Sequence, residues 1–450
     1  HRQDIEQRGD EDDDGGEVSG EWALVLAPEV ARQWSLSPEA LGILFSAGLA
    51  GMTFGSLFLS PLADVYGRRP AVLTSLVVTT IGMLASALTE NLMQLTVARA
   101  ITGLGIGTMI ASLATIVAEY STDRRRAAAI SFSMAGYPIG AIFGGIVTVY
   151  LLEAFDWQTV FIFGGVVTGL MIPLALVFLP ESIEYLLTRR EEDTLTRVNR
   201  VLVRMKKAPL ESLPEIDGKP VAVTSPVTEL FASTLRKQTV LIWTCFFLTM
   251  SSLYFAQTWT PKIMVDAGFD VSEGVSIGVL IQVGALIGIL IIGLLTAKRS
   301  IYATAAILMG FGFVAMLAFS FTLEQVETLY VLAVCIGLGV NAAVIALYAI
   351  VLEVYPVDIR ATGIGWAIGV GRFSAILTPA IAGLLLGAGI ELTMLYFLFA
   401  VPMLLAVGSV LAARPRPRPG DRHGDADRPA RHRRASPVRQ PRRGGAGRCP

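Results

Sequence analysis

The sequence predicts an all-α polytopic membrane protein. Of its 450 residues 53% are hydrophobic and only 16% charged, at a mean hydropathy of +0.60. About eleven apolar runs are each long enough to cross a bilayer, and the short links between them alternate in charge. A chain this apolar is not expected to be a soluble enzyme, and one this long is more than a single anchor.

In chain order, residues 1–21 are acidic, rich in Gly and Asp and free of apolar periodicity, which predicts a disordered segment. They lack the basic start and apolar core of a signal peptide. Trp22 to Ala31 is apolar but interrupted by Pro28-Glu29, and at about ten residues it is half of what a span needs. Spans are predicted at 40–59, 71–88, 92–118, 127–152, 160–179, 240–260, 275–296, 301–321, 329–352, 362–386 and 392–412. The link from Ser60 to Pro70 has Pro61 and Pro70 as expected helix ends, Gly67 for a turn, and Asp64 with Arg68 and Arg69 as a latch between helix ends.

One set of links carries Arg68-Arg69, Arg124-Arg125-Arg126, then Arg189, Arg190, Lys206 and Lys207, then Lys298-Arg299 and Arg360. The alternate set carries Glu90, Glu153, Asp156, Asp266, Asp270, Glu273, Glu324, Glu327 and Glu391. The positive-inside rule makes the first set cytoplasmic in a multi-pass plasma-membrane protein, with the central linker and the C-terminal tail inside. One more span ahead of Glu39 would return the amino terminus to the cytoplasm. The stub at Trp22 to Ala31 stands in its place, so the first helix is expected to be truncated. The division that follows is a disordered segment (1–21), an N-terminal bundle (22–185), a cytoplasmic linker (186–237) with a helical piece near Leu186 to Met205, a C-terminal bundle (238–413) and a disordered arginine-rich tail (414–450).

The two bundles read as duplicates. Gly103-Leu104-Gly105, Glu119 and Arg126-Ala127 recur at the same spacings as Gly337-Leu338-Gly339, Glu353 and Arg360-Ala361. Parallel repeats of this kind build transporters whose substrate site lies between the halves near the midplane.

Several of these motifs resemble a known family. The link before Pro70 is similar to the signature of the major facilitator superfamily, with Ser60 in place of a glycine and Val65 in place of an arginine. Arg99-x-x-x-Gly103-x-Gly105 resembles its fourth-helix motif. More narrowly, Glu119-Tyr120-Ser121, Gly136-Tyr137-Pro138-Ile139-Gly140, Leu179-Pro180-Glu181-Ser182, Trp259-Thr260-Pro261-Lys262 and Gly365-Trp366-Ala367-x-Gly369-x-Gly371-Arg372 resemble the aromatic acid:proton symporters. The resemblance implies twelve spans in two six-helix bundles, importing benzoate-, hydroxybenzoate- or gentisate-like anions with protons. The family's Asp-Gly-x-Asp motif of the first span is not found in Trp22 to Ala31. Alternatives are a porter of another organic anion or a sugar, or a non-transporting product lacking its first helix.

Arg372 sits in mid-span, where a charge costs on the order of 3 kcal/mol and faces a cavity or a partner. Its fork suits a carboxylate, as the resemblance also implies. Arg99 is nearer a helix end, where snorkelling competes with substrate binding. Tyr137, Asn341, Tyr348, Gln257 and Gln282 are polar groups in apolar helices, expected either to bond between helices or to line the substrate site. Asp64, Arg68, Arg69, Glu119, Arg126, Glu353 and Arg360 are expected to form the inner gate and latch. His1, His423 and His432 are all terminal, so proton coupling would use carboxylates. Cys245, Cys335 and Cys449 give no disulfide framework. Neither a Walker loop nor a Cys/His metal spacing is present, so no cofactor is expected. The expected partners are the aromatic acid, protons and the lipid bilayer, with no nucleic acid, and the protein is expected to be a monomer.

Overall fold

Short polar caps set where the spans begin. Ser37 accepts the amide of Ala40 ahead of Pro38, Asn91 accepts that of Gln94, and Ser300 that of Ala303, each satisfying a first-turn N–H that no helical carbonyl reaches. The computed structural model describes residues 26–121, 126–189, 194–204, 209–210, 212–213, 227–233, 235–296, 299–323 and 325–414. The acidic segment, Arg124, Arg125, Arg190, Lys206, Lys207, Lys298, Glu324 and the tail beyond Arg414 lie outside the described residues, as do the side chains of Asp64, Arg126 and Arg189.

The elements run α1 (Ala27–Trp34), α2 (Pro38–Phe54), a π-helical turn (Gly55–Leu59), α3 (Ser60–Tyr66), α4 (Arg68–Ala87), α5 (Leu92–Tyr120), α6 (Arg126–Ala154) and α7 (Trp157–Phe178). The linker holds α8 (Ile183–Arg189), α9 (Thr194–Arg204) and a 3₁₀ turn (Val227–Phe231). The second half is α10 (Arg236–Asp266), α11 (Val271–Thr296), α12 (Ile301–Phe321), α13 (Val326–Val354), α14 (Val357–Gly387) and α15 (Leu392–Ala413). Among the described residues eleven helices are long and apolar enough to cross a membrane, five in the first half and six in the second.

The repeat seen in the sequence is a repeat of packing. In the first half α2 lies directly on α5: a side chain at Gly51 or Gly55 would run into the carbonyls of Ala100 and Leu104, and one at Gly103 into that of Gly48. The second half reproduces this seam in register between α11 and α13, with Gly284 against Val334, Gly288 against Leu338 and Gly337 against Ile281. Gly105 and Gly339 face the other way, onto Ser75 and Thr79 of α4 and onto Gly312 of α12. Small residues at such spacings let helix backbones meet where lipid offers no hydrophobic drive.

The halves join along two pairs of helices, α2 with α14 and α6 with α11. The tightest of these contacts gather at the end where the acidic links lie. Gly42 abuts the carbonyl of Pro379, Gly383 that of Pro38, and Gly387 the Glu39 carboxylate. Ser46 donates to the carbonyl of Ile376 at 2.7 Å. Trp259, fully buried, donates to the carbonyl of Pro379 at 3.2 Å and meets the edge of Phe45 at 5.5 Å.

Two local expectations change. Pro61 does not end a helix: the first span continues through the π-helical turn into α3 and stops at Gly67, whose φ of +106° no helix tolerates. A π turn shifts the carbonyl register, so Pro61, at the start of α3, interrupts less than it would in regular helix. The stub ahead of Glu39 is described only from Leu26, where α1 is seated by Trp34 against Trp157 and by the Trp157 indole N–H on Gln33.

Candidate functional site

Arg372 lies near the middle of α14, half-buried, and among the described residues it makes no hydrogen bond or ion pair. Tyr348 of α13 is within electrostatic reach of its guanidinium and of Tyr254 on α10. Tyr348 keeps 37% of its surface open and takes the edge of Phe246 at 5.6 Å. A cation, two phenols and a phenyl ring thus share one region of the second half. Gln257 of α10 donates from Nε2 to Oε1 of Gln282 on α11 at 3.5 Å, at the limit of a hydrogen bond. Asn341 is turned onto its own helix and donates to the carbonyl of Gly337 at 3.1 Å. Tyr137 stands half-buried on α6 beside Pro138.

Arg99 is placed differently. It does not snorkel: only 5% of it is exposed. Its Nη2 donates to Ser86 and to Thr102, each at 2.9 Å, and reaches the sulfur of Met83 at 3.2 Å, while Nε reaches Ser86 at 3.2 Å. Its guanidinium carbon lies 4.7 Å from the centre of the Phe161 ring. These partners come from α4, α5 and α7, so Arg99 ties three helices of one half by hydrogen bonds and a cation–π contact.

At the end of the basic links, Arg68 Nε lies 3.3 Å from Glu119 Oε1, and Ser182 donates to Glu119 Oε2 at 2.7 Å. Glu181 accepts the amides of Arg68, Arg69 and Ser182 at 2.9, 3.1 and 2.9 Å, a carboxylate seated on the positive start of α4. Its other oxygen occupies the space where Gly67 lacks a side chain. Arg69 Nη2 donates to the carbonyl of Leu176 at 2.5 Å, and Tyr120 donates to the carbonyl of Glu181 at 2.7 Å. In the sequence Glu181 and Ser182 stand out only as part of a motif, and their place just after the end of α7 is the one signal of this role that they carry.

The second half's counterparts are not drawn into this cluster. Arg360 donates to the carbonyl of Tyr355 at 3.1 Å, and Glu353 is exposed with no ion pair among the described residues. At the opposite end a polar cavity of about 520 Å³ is lined by Glu29, Arg32, Glu153, Asp156 and Asp270. There Arg32, outside the spans, is held above its ordinary pKa by the hydrogen bond and charge of Glu29. An apolar groove of about 670 Å³ between α2 and α5 is lined by Ala47, Gly51, Phe54, Phe58, Ala100 and Leu104, and holds none of the polar candidates.

Comparison with known proteins agrees with this architecture. The family model described as Major Facilitator Superfamily matches residues 19–323 and 282–445. The 4-hydroxybenzoate transporter PcaK of Pseudomonas putida is 30% identical over 387 residues, 86% of each chain. The gallate transporter of the same organism is 28% identical over 388 residues, again 86% of each. The benzoate transport protein of Acinetobacter baylyi is 26% identical over 392 residues, 86% of this chain and 84% of its own. With its repeated glycine seams and eleven described spans, this multi-pass chain belongs to the major facilitator superfamily, a family of transporters and not of enzymes, and is related to carriers of aromatic carboxylates.

Proposed function

We propose that this protein imports small aromatic carboxylates, of the benzoate, hydroxybenzoate or gentisate type, together with protons, across the plasma membrane by alternating access, and that it works as a monomer. The observation that carries this reading is Arg372, a guanidinium in mid-span with no anionic partner among the described residues. An unpaired charge in low dielectric is costly, so the position is best accounted for by an anion that arrives and leaves. The fork supplies two parallel hydrogen bonds to a carboxylate, and the rings of Tyr348 and Phe246 supply faces and edges for a benzene ring. Tyr137, Asn341, Gln257 and Gln282 complete the proposed substrate-binding set. Arg99 belongs instead to the frame of the first half.

In this reading the bundles are residues 22–185 and 238–413, with the linker 186–237 in the cytoplasm beside the basic links. The halves are then drawn together on the outer side, as in an inward-open carrier. Asp64, Arg68, Arg69, Glu119, Arg126, Glu353 and Arg360 would all come together only when the inner end closes. The Arg68–Glu119 pair is ready for that step, while Arg360 rests on its own helix end.

Calorimetric titration of the purified protein in detergent tests the site. Benzoate or 4-hydroxybenzoate should bind, the matching benzamides at least tenfold more weakly. Arg372→Lys, which keeps charge but loses the fork, should weaken acid binding by tenfold or more without lowering the melting temperature. Equal binding of acid and amide would remove Arg372 from the substrate site.

A further inference from the structure

The polar pair between α10 and α11 has a more specific use. We infer that the Gln257–Gln282 amide pair reads a ring hydroxyl on the acid whose carboxylate meets Arg372; this rests on the carboxylate reading above.

Three observations support it. First, Gln257 is held only loosely. Among the described residues its one hydrogen bond, to Gln282, is 3.5 Å long, and its own carbonyl oxygen accepts none. A carboxamide in an apolar span left with an idle acceptor is costly unless a donor comes to it. Second, the repeat gives an internal control. Gln282 stands two residues before Gly284, and Leu49 stands two residues before Gly51, its counterpart in the other half's seam. Leu49 is 8% exposed and Gln282 5%, so a leucine fills the same place in the packing, and the amide is not needed to close the helices.

Third, the depth is right for the ligand. Arg372 lies fifteen residues from the Gly387 end of α14, Gln257 nine from the Asp266 end of α10, and Gln282 eleven from the Val271 start of α11. These ends all lie on the acidic-link side. At 1.5 Å per residue the amides sit about 6–9 Å beyond the guanidinium, roughly the reach of one benzene ring with a substituent at each end. Tyr254, one helical turn below Gln257 and in electrostatic reach of Tyr348, continues the polar line from Arg372 to the amides.

A phenolic O–H would donate to Gln257 Oε1. A site whose acceptor is covered by the bound ring discriminates against the ring that lacks that proton, because binding the plain ring leaves the acceptor dry and unpaired. The experiment is a pair of titrations, 4-hydroxybenzoate and benzoate, on the full-length protein in detergent and on Gln257→Leu and Gln282→Leu. The unmodified protein should prefer the hydroxylated acid by tenfold or more. Both variants should bring that ratio to about one through lost affinity for the hydroxylated acid. Gln282→Leu copies the residue of the other half, which guards against a variant that fails to fold. An unmodified protein that binds both acids equally, or variants that keep the preference, would overturn the amide assignment while leaving the carboxylate reading in place. Binding of neither acid to the unmodified protein would overturn both.

Discussion

The two halves share their scaffold and differ in their chemistry. Gly51, Gly55 and Gly103 are matched in place and contact by Gly284, Gly288 and Gly337, and Glu119 by Glu353. The polar candidates of the second half are not matched. In the register of those glycines and of Arg126 and Arg360, Gln282 faces Leu49, Asn341 faces Gly107, Tyr348 faces Ala114 and Arg372 faces Pro138. Arg99 in turn corresponds to Ala333, which is fully buried. Duplication therefore preserved what lets backbones touch and released the side chains that lie between. The second half carries polar and charged groups where the first has apolar ones, and the first carries an internal arginine tie.

The most severe break of this comparison is at the shared seam. Leucine at Gly103 or at Gly337 would overlap backbone that cannot withdraw, and overpacking of a tight core costs about 1–3 kcal/mol or more. Both variants should fail to give folded, monodisperse protein in size-exclusion chromatography. Survival of one and not the other would mean that the two seams are not equivalent.

A smaller effect should separate the paired glutamates. Glu119→Gln loses its charge-assisted contact with Arg68 and weakens that with Ser182, at a cost of about 1–3 kcal/mol. Glu353→Gln, at an exposed position, should stay within about 0.5 kcal/mol of the unmodified protein. Thermal melts in detergent would show it, and equal losses would mean that Glu353 has a partner of its own. The mildest variant is Phe161→Leu, which trims the ring beneath Arg99 and should cost about 1 kcal/mol, read as a lowered melting temperature with unchanged affinity for an aromatic acid.

Much of this was legible in the sequence because it depends on length, apolarity and spacing. The eleven spans, the repeat and the family follow from runs of the right length and from glycines at fixed intervals. Residues whose role depends on a distant partner were harder. The turn chemistry of Gly67 pointed to a tight link, but the carboxylate beneath it comes from Glu181, which is far along the chain. Arg99 lies near a helix end, where a single span offers it either water or a substrate. Ser86 and Met83, on the neighbouring helix, and Phe161 enclose it instead, and single-span reasoning has no view of neighbours. Pro61 reads as a stop because a regular helix would stop there. The π-helical turn that lets the span pass it has no simple residue signature.

That turn also fixes a phase. A helix that takes one extra residue into a single turn keeps its axis but rotates everything after it by about 100° relative to a regular helix. Gly55–Leu59 therefore decides which way Ser60–Tyr66 presents itself, independently of how α2 is packed above. Drawing that stretch into regular helix at unchanged length would leave the upper span in regular period on its glycine seam. The end that leads to Gly67 would swing round by a quarter turn, away from the seat that Glu181 provides.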